Sequence, residues 1–169
     1  MRRLAIAALV VASASTARAA PDDAAVARFD RLADELVGLC VHAAATRCFE
    51  TAFDLVDADG DDRLTRAELD ALRRDANAWF LAERDGLTLN EQTAVALSLA
   101  TLNTAGVDRL VAAYDADGDG ALDRGEITAD VRLDERPLPQ LVRDGAAVDW
   151  DAVRGRLGAL AGALLPTPP

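Results

Sequence analysis

The sequence predicts an all-α fold built from helix–loop–helix units, on three observations. Apolar residues recur at three-and-four spacing in successive stretches, which is the period of one helix face. The breaks between those stretches fall at Asp-Gly, Gly and Pro, residues that interrupt helices. Two acidic twelve-residue segments of nearly the same pattern, 57–68 and 115–126, each follow one helical face and precede another. No long Gly/Ser or Pro linker divides the chain, and residues 20–165 read as one domain large enough to bury a single core.

The first nineteen residues stand apart. Arg2 and Arg3 precede the apolar run Leu4–Ala12, and Ala17-Arg18-Ala19 supplies small residues at a cleavage spacing. That is the pattern of a secretory signal peptide, residues 1–19, with a run too short to span a bilayer. Export, periplasmic or secreted, is therefore expected, with no membrane attachment once the signal is cut. The formal net charge is −11, and cleavage would remove Arg2, Arg3 and Arg18 but no acid. So acidic a surface repels nucleic acid and anionic lipid, which need an excess of basic residues, so neither is an expected partner.

Asp22 and Asp23 are candidate N-caps for a helix that carries Val26, Phe29, Leu32, Ala33, Leu36 and Leu39 on one face. Cys40 and Cys48 follow. Export favours a disulfide between them. On one continuous helix they would lie about 12 Å apart along the axis, beyond the ~7 Å between Cα atoms that a bridge tolerates. A bridge thus needs a turn near Val41–Thr46, with Thr46 capping the next helix, whereas Ala43-Ala44-Ala45 favours continued helix. The compartment decides for a bridge stapling two antiparallel helices. Phe49, Phe53 and Val56 mark the helix that enters the first acidic segment.

In that segment Asp57, Asp59 and Asp61 place carboxylates at every second residue, Leu64 is a lone apolar residue, and Glu68 closes at position twelve. Leu69, Leu72, Ala76, Trp79 and Phe80 continue a helix until Asp85-Gly86 breaks it. Asn90 is the expected cap of an apolar helix holding Val95, Leu97, Leu99 and Leu102, and Thr104–Gly106 end it. Val107, Leu110, Val111 and Tyr114 then lead into the second segment, where Asp115, Asp117, Asp119, Gly120, Leu122 and Glu126 repeat the pattern. A short helix is expected from Ile127, stopping before Pro137 and Pro139. A last helix, about Trp150 to Leu164, carries Val153, Leu157, Leu160 and Leu164, and residues 166–169 form a tail.

Carboxylates at positions 1, 3 and 5, a backbone carbonyl at 7 and a glutamate at 12 suit a large, hard cation. These residues resemble the calmodulin-like EF-hand family. The resemblance covers the two loops and their flanking helices, and it implies two bound Ca²⁺. The ligands it implies are Asp57, Asp59, Asp61, Arg63 (carbonyl), Thr65 and Glu68 in the first loop. In the second they are Asp115, Asp117, Asp119, Ala121 (carbonyl), Asp123 and Glu126. The first loop departs at Asp62, where the family has glycine; a non-glycine residue in the left-handed region costs roughly 1–2 kcal/mol. Weaker binding is expected there than in loop 115–126.

Arg84-Asp85-Gly86 recurs as Arg143-Asp144-Gly145 at nearly the spacing of the loops. From this we expect each Ca²⁺ loop to pair with a shortened, ligand-poor partner, Leu64 facing Leu89 and Leu122 facing Val148. In the alternative the two acidic loops pair directly, and Leu87–Leu102 is an inserted helix.

Little points to catalysis. Outside the signal the chain has one histidine, His42, and one serine, Ser98, neither in a motif that supplies a nucleophile with its base. The expectation is a non-enzymatic, exported Ca²⁺-binding protein whose fold the ions order. The alternative is a Ca²⁺-dependent docking module for one dedicated protein partner. A promiscuous methionine-lined groove is not expected, since the only methionine is Met1.

Overall fold

Asp22 opens the first helix as the sequence predicts. Its Oδ1 accepts from the amides of Ala24 at 3.1 Å and Ala25 at 3.3 Å, satisfying two donors that a helix start leaves orphaned. In a computed structural model, which describes residues 22–144 and 147–162, the chain is all-α apart from one minimal sheet. The elements are α1 (Asp23–Cys40), α2 (Ala45–Val56), β1 (Leu64–Thr65), α3 (Arg66–Glu83), α4 (Leu89–Ala105) and α5 (Val107–Tyr114). They continue with β2 (Ala121–Leu122), α6 (Arg124–Ile127), α7 (Leu138–Arg143) and α8 (Trp150–Gly162). The proposed signal, residues 1–19, and the tail, 166–169, lie outside the described residues, as does Leu164. No described helix is long and apolar enough to cross a membrane.

The core sits where the two acidic loops meet. Phe53, Leu64, Leu69, Val111 and Leu122 are buried together, with Phe49, Val56, Leu110 and Ile127 packed around them. Strands β1 and β2 pair antiparallel, Leu64 opposite Leu122 and Thr65 opposite Ala121. This overturns the expected pairing of Leu64 with Leu89 and of Leu122 with Val148. Arg84–Gly86 is a single 3₁₀ turn, and Leu89 is the first residue of α4, with its side chain 77% exposed. Leu89 is therefore helical, and Leu64 pairs with Leu122. Val148 bridges Val131 instead. The alternative arrangement holds: the acidic loops pair directly and α4 is inserted between them.

Around this core α3 is the central helix, packed on α1, α4 and α5, while α8 lies against α4 and α5. Arg28 on α1 grips Asp75 on α3 through Nε and Nη2, both at 2.7 Å. Trp79 donates to Asp30 at 2.6 Å, and its ring lies 5.2 Å from that of Phe29.

The α1–α2 connection turns despite its alanines. Cys40 and Cys48 form a disulfide with Cα atoms 5.0 Å apart. Thr46 does not cap α2; Ala44 is the N-cap residue and supplies no side-chain bond. Tertiary contacts replace the cap. Ala44 bridges Pro137, the Ala45 amide donates to Arg136 O at 2.8 Å, and Ala45 is buried against Leu141 and Ala147. Helix propensity of a few tenths of a kcal/mol per residue is outweighed by such packing.

Three further boundaries differ from expectation. Thr88, not Asn90, caps α4, in a reciprocal box with Glu91: the Thr88 amide donates to Glu91 Oε2 at 2.8 Å. The helix expected from Ile127 is instead the single turn α6, of which Ile127 is the last residue. Pro137 and Pro139 start a helix, α7, rather than ending one, since proline fits a first turn where its missing N–H costs nothing. Helix α8 is broken at Gly158, whose φ of +82° lies in the left-handed region.

Arg156 fastens α8 to α5. Its Nη1 donates to Ala113 O at 3.0 Å, its Nε lies 2.9 Å from Asp130 Oδ2, and its guanidinium sits 5.0 Å from the centre of the Tyr114 ring. Burial, followed by a hydrogen bond to the Asp130 carboxylate and its charge, pushes the Tyr114 phenol up to about 12. The folded state thus holds this proton more tightly than the unfolded chain, whose phenol ionises near 10. The resulting stabilisation is full below pH ~10 and is lost as pH rises towards ~12. Tyr114 is the one tyrosine of the chain, so absorbance at the phenolate band reports it alone. A midpoint near 10 in the folded protein would reject the Tyr114–Asp130 contact.

Candidate metal centres

Each acidic loop is folded by its own carboxylates. In the first, Asp57 follows α2 in extended conformation, and its Oδ1 accepts from the amides of Gly60 at 2.8 Å and Asp61 at 3.2 Å. Its Oδ2 accepts from Asp62 N at 2.9 Å. The Arg63 amide donates to Asp61 Oδ1 at 2.9 Å. Glu68 closes the loop: Oε1 accepts from Ala58 N at 2.8 Å, and Oε2 from the amide of Thr65 at 2.8 Å and its hydroxyl at 2.7 Å.

The second loop repeats this scheme except at its fifth residue, whose amide turns to Asp117 where that of Asp61 turns to Asp57. Asp115 accepts from Gly118 N at 2.6 Å and Gly120 N at 2.9 Å. Asp117 accepts from Asp119 N at 3.0 Å, and Asp119 from Ala121 N at 2.9 Å. Glu126 accepts from Ala116 N at 2.6 Å and Asp123 N at 3.0 Å. The backbones match as well. Gly60 and Asp62 have φ of +72° and +64°, where Gly118 and Gly120 have +79° and +89°. Asp62 adopts the left-handed turn that its glycine counterpart takes without strain.

These turns converge carboxylates. Oxygens of Asp57, Asp59 and Glu68 lie within 4.8 Å of one another, as do those of Asp115, Asp117 and Glu126. The other predicted ligands stand beside these groups. Asp61 and Asp119 hold the turn through their amide bonds. Thr65 and Asp123 cap α3 and α6, each in a reciprocal box with the closing glutamate. Arg63 immediately precedes β1, and Ala121 lies in β2.

Crowded carboxylates raise the cost of ionisation unless hydrogen bonds offset it. Asp59 shows the first effect: repulsion from Asp61, then burial and repulsion from Glu68, pushes it up. In Asp57 burial also pushes up, but the amides of Asp62, Gly60 and Asp61 outweigh it and the carboxyl ends below its ordinary value. Burial is likewise outweighed in Glu68, by the hydroxyl and amide of Thr65 and the amide of Ala58. The donor set is all oxygen, with no thiolate or imidazole in either group. That chemistry fits a hard divalent cation rather than a soft metal.

Sequence reasoning missed two arginines that cross between the loops. Arg63 of the first loop forms an ion pair with Asp119 Oδ2 of the second. Arg124 reaches the other way, to Asp54 at 2.6 Å and Asp62 at 2.9 Å, with its guanidinium 4.2 Å from the centre of the Phe53 ring. Nothing local marks these pairs; they exist because β1 and β2 bring the loops side by side. No family model matches the chain, and neither a curated protein nor a solved structure matches it.

Proposed function

We propose that this is an exported Ca²⁺-binding protein of the EF-hand type. Its units are α2–loop–α3 and α5–loop–α6, each loop takes one ion, and the ions consolidate the fold. The observation that carries this reading is the repetition of one hydrogen-bonded loop geometry, with carboxylates converging in the same three positions. The Leu64–Leu122 pairing supports it, because it sets the two loops back to back over the main core. The ions would be held by Asp57, Asp59 and Glu68 and by Asp115, Asp117 and Glu126, with the other loop oxygens completing the shells. Export is supported by the N-terminal pattern and by the Cys40–Cys48 disulfide. No catalytic role is proposed: the Ser98 hydroxyl donates to Ala94 O at 2.9 Å within its own helix, and His42 lies in the exposed α1–α2 turn.

Calorimetric titration of the metal-stripped protein with Ca²⁺ should show two ions per chain. Glu126→Gln should remove one and Glu68→Gln the other, since each deletes the carboxylate charge that closes its loop. At free Ca²⁺ about a hundred times the dissociation constant, each ion adds roughly 2.7 kcal/mol to stability. Absence of uptake up to about 10 mM, beyond even weak extracellular sites, would sink the proposal.

One observation favours a docking module as the second reading. A groove of about 410 Å³ runs between α1 and α3, lined by Phe29, Leu32, Leu55, Val56 and Leu72, and it ends at Ala58 and Glu68 of the first loop. If Ca²⁺ opens this groove, fluorescence of a bound apolar dye should rise and saturate with the ions. A fall would mean that the ions close a loose core and act structurally.

A further inference from the structure

We propose that Arg63 is a built-in competitor for the cation of the second loop, so that one loop's side chain sets the affinity of the other. The inference rests on the cation-binding reading above and concerns how the two sites are tuned. Asp119 occupies the fifth position of its loop and has two oxygens. Oδ1 accepts from the Ala121 amide at 2.9 Å, which holds the turn, and Oδ2 is paired with the Arg63 guanidinium. In the proposed reading Asp119 completes the shell of a cation held by Asp115, Asp117 and Glu126, and the ion then draws on a carboxylate that Arg63 already neutralises. It must therefore displace the guanidinium or share the carboxylate with a like charge.

Arg63 is held in that place by the fold. The next residue, Leu64, is pinned opposite Leu122 in the sheet and is buried. The guanidinium thus emerges at the seam between the loops.

The exchange is unequal. Arg124, which crosses in the opposite direction, pairs with Asp54 and Asp62; neither is among the ligands proposed for the first loop, whereas Asp119 is among those proposed for the second. Among the described residues, Asp61, the counterpart of Asp119, pairs with no guanidinium. Among the described residues no guanidinium pairs with a proposed ligand of the first loop, whose handicap is the Asp62 turn; the second has its glycine but carries Arg63. The two handicaps narrow the difference in affinity that loop composition alone predicts.

The test uses the full chain with one loop silenced at a time and Ca²⁺ as the probe. Glu68→Gln isolates the second loop and Glu126→Gln the first. Arg63→Gln should tighten the second loop about threefold to tenfold, the size expected of one partly exposed charge near a divalent ion. Its effect on the first loop should be smaller, because the first loop's carbonyl ligand at this position is backbone. Arg63→Lys, which keeps the charge, should stay within about twofold of the parent. The gain from Arg63→Gln should shrink in about 0.5 M salt, where exposed charges are screened. Unchanged or weaker binding in the second loop, or an equal gain in both, overturns the proposal while leaving two cation sites standing. A parent protein that takes up no cation overturns both. Arg63 is 46% exposed in its side chain, and circular dichroism of both variants checks that the fold is kept.

Discussion

Phe53→Ala should lower unfolding stability by about 3–5 kcal/mol, the usual loss for truncating a fully buried aromatic. Phe53 is 2% exposed and lies at the centre of the main core with Leu64, Leu69, Val111 and Leu122. Its ring is 6.1 Å from that of Phe49 and carries the Arg124 guanidinium on its face. The substitution therefore opens a cavity and removes the support of a charged side chain together. A domain of this size has only about 5–15 kcal/mol in total, so a loss near the upper figure leaves a partly unfolded population. The effect reaches the first loop, because the Phe53 carbonyl accepts from the Asp57 amide at 2.9 Å and so seats the first carboxylate. Urea denaturation followed by far-ultraviolet circular dichroism gives the stability, and a Ca²⁺ titration gives the loop. A shift below about 1 kcal/mol would place Phe53 outside the core.

Opening the disulfide should cost about 2–3 kcal/mol, the chain-entropy value for so short a ring. Cys40 ends α1 and Cys48 lies in the first turns of α2, with only the Val41–Ala44 connection between the helices. Helix α2 carries no side-chain N-cap. The bridge and the contacts of Ala44 and Ala45 with the 136–137 segment are what hold its start. Cys40→Ser/Cys48→Ser should therefore melt about 5–10 °C below the parent, with loosening at the start of α2 and at the Ala45–Leu141–Ala147 cluster. Hydrogen exchange of amides 45–48 is the sharper measurement. Protection equal to that of the parent would mean that the bridge is incidental to α2.

Local rules made most of the helices and both carboxylate sets legible, though not α6 and α7. The Asp22 cap, the 3.6-residue faces and the turn residues each act over a few positions, and the twelve-residue loop pattern is itself local. What could not be read depends on contacts between distant segments. The pairing of Leu64 with Leu122 rather than Leu89 is decided by which segment is left extended, and Thr88 fixed that by capping α4 where Asn90 was expected to do so. The turn after Cys40 defies three alanines because Pro137 and Arg136 bond to its far side. Arg63 and Arg124 look like ordinary solvated charges along the chain. Arg63 is expected to offer only its carbonyl; the side chains of both arginines reach the opposite loop only when the loops are set side by side.

The two-residue sheet has a consequence for the order in which the molecule is made. Its strands are contributed from either side of α3, α4 and α5, so its few hydrogen bonds close a long chain loop and must await it. A polypeptide appearing N-terminus first can form α1, the disulfide and α2 early, from neighbours in sequence. Phe53, Leu64 and Leu69 then have no cover until Val111 and Leu122 arrive. For that interval the half-made chain presents an apolar surface and an unpaired strand edge, which are features that invite misassociation. The finished protein hides both in one late docking event. Its vulnerable moment comes during synthesis, before the second loop has arrived.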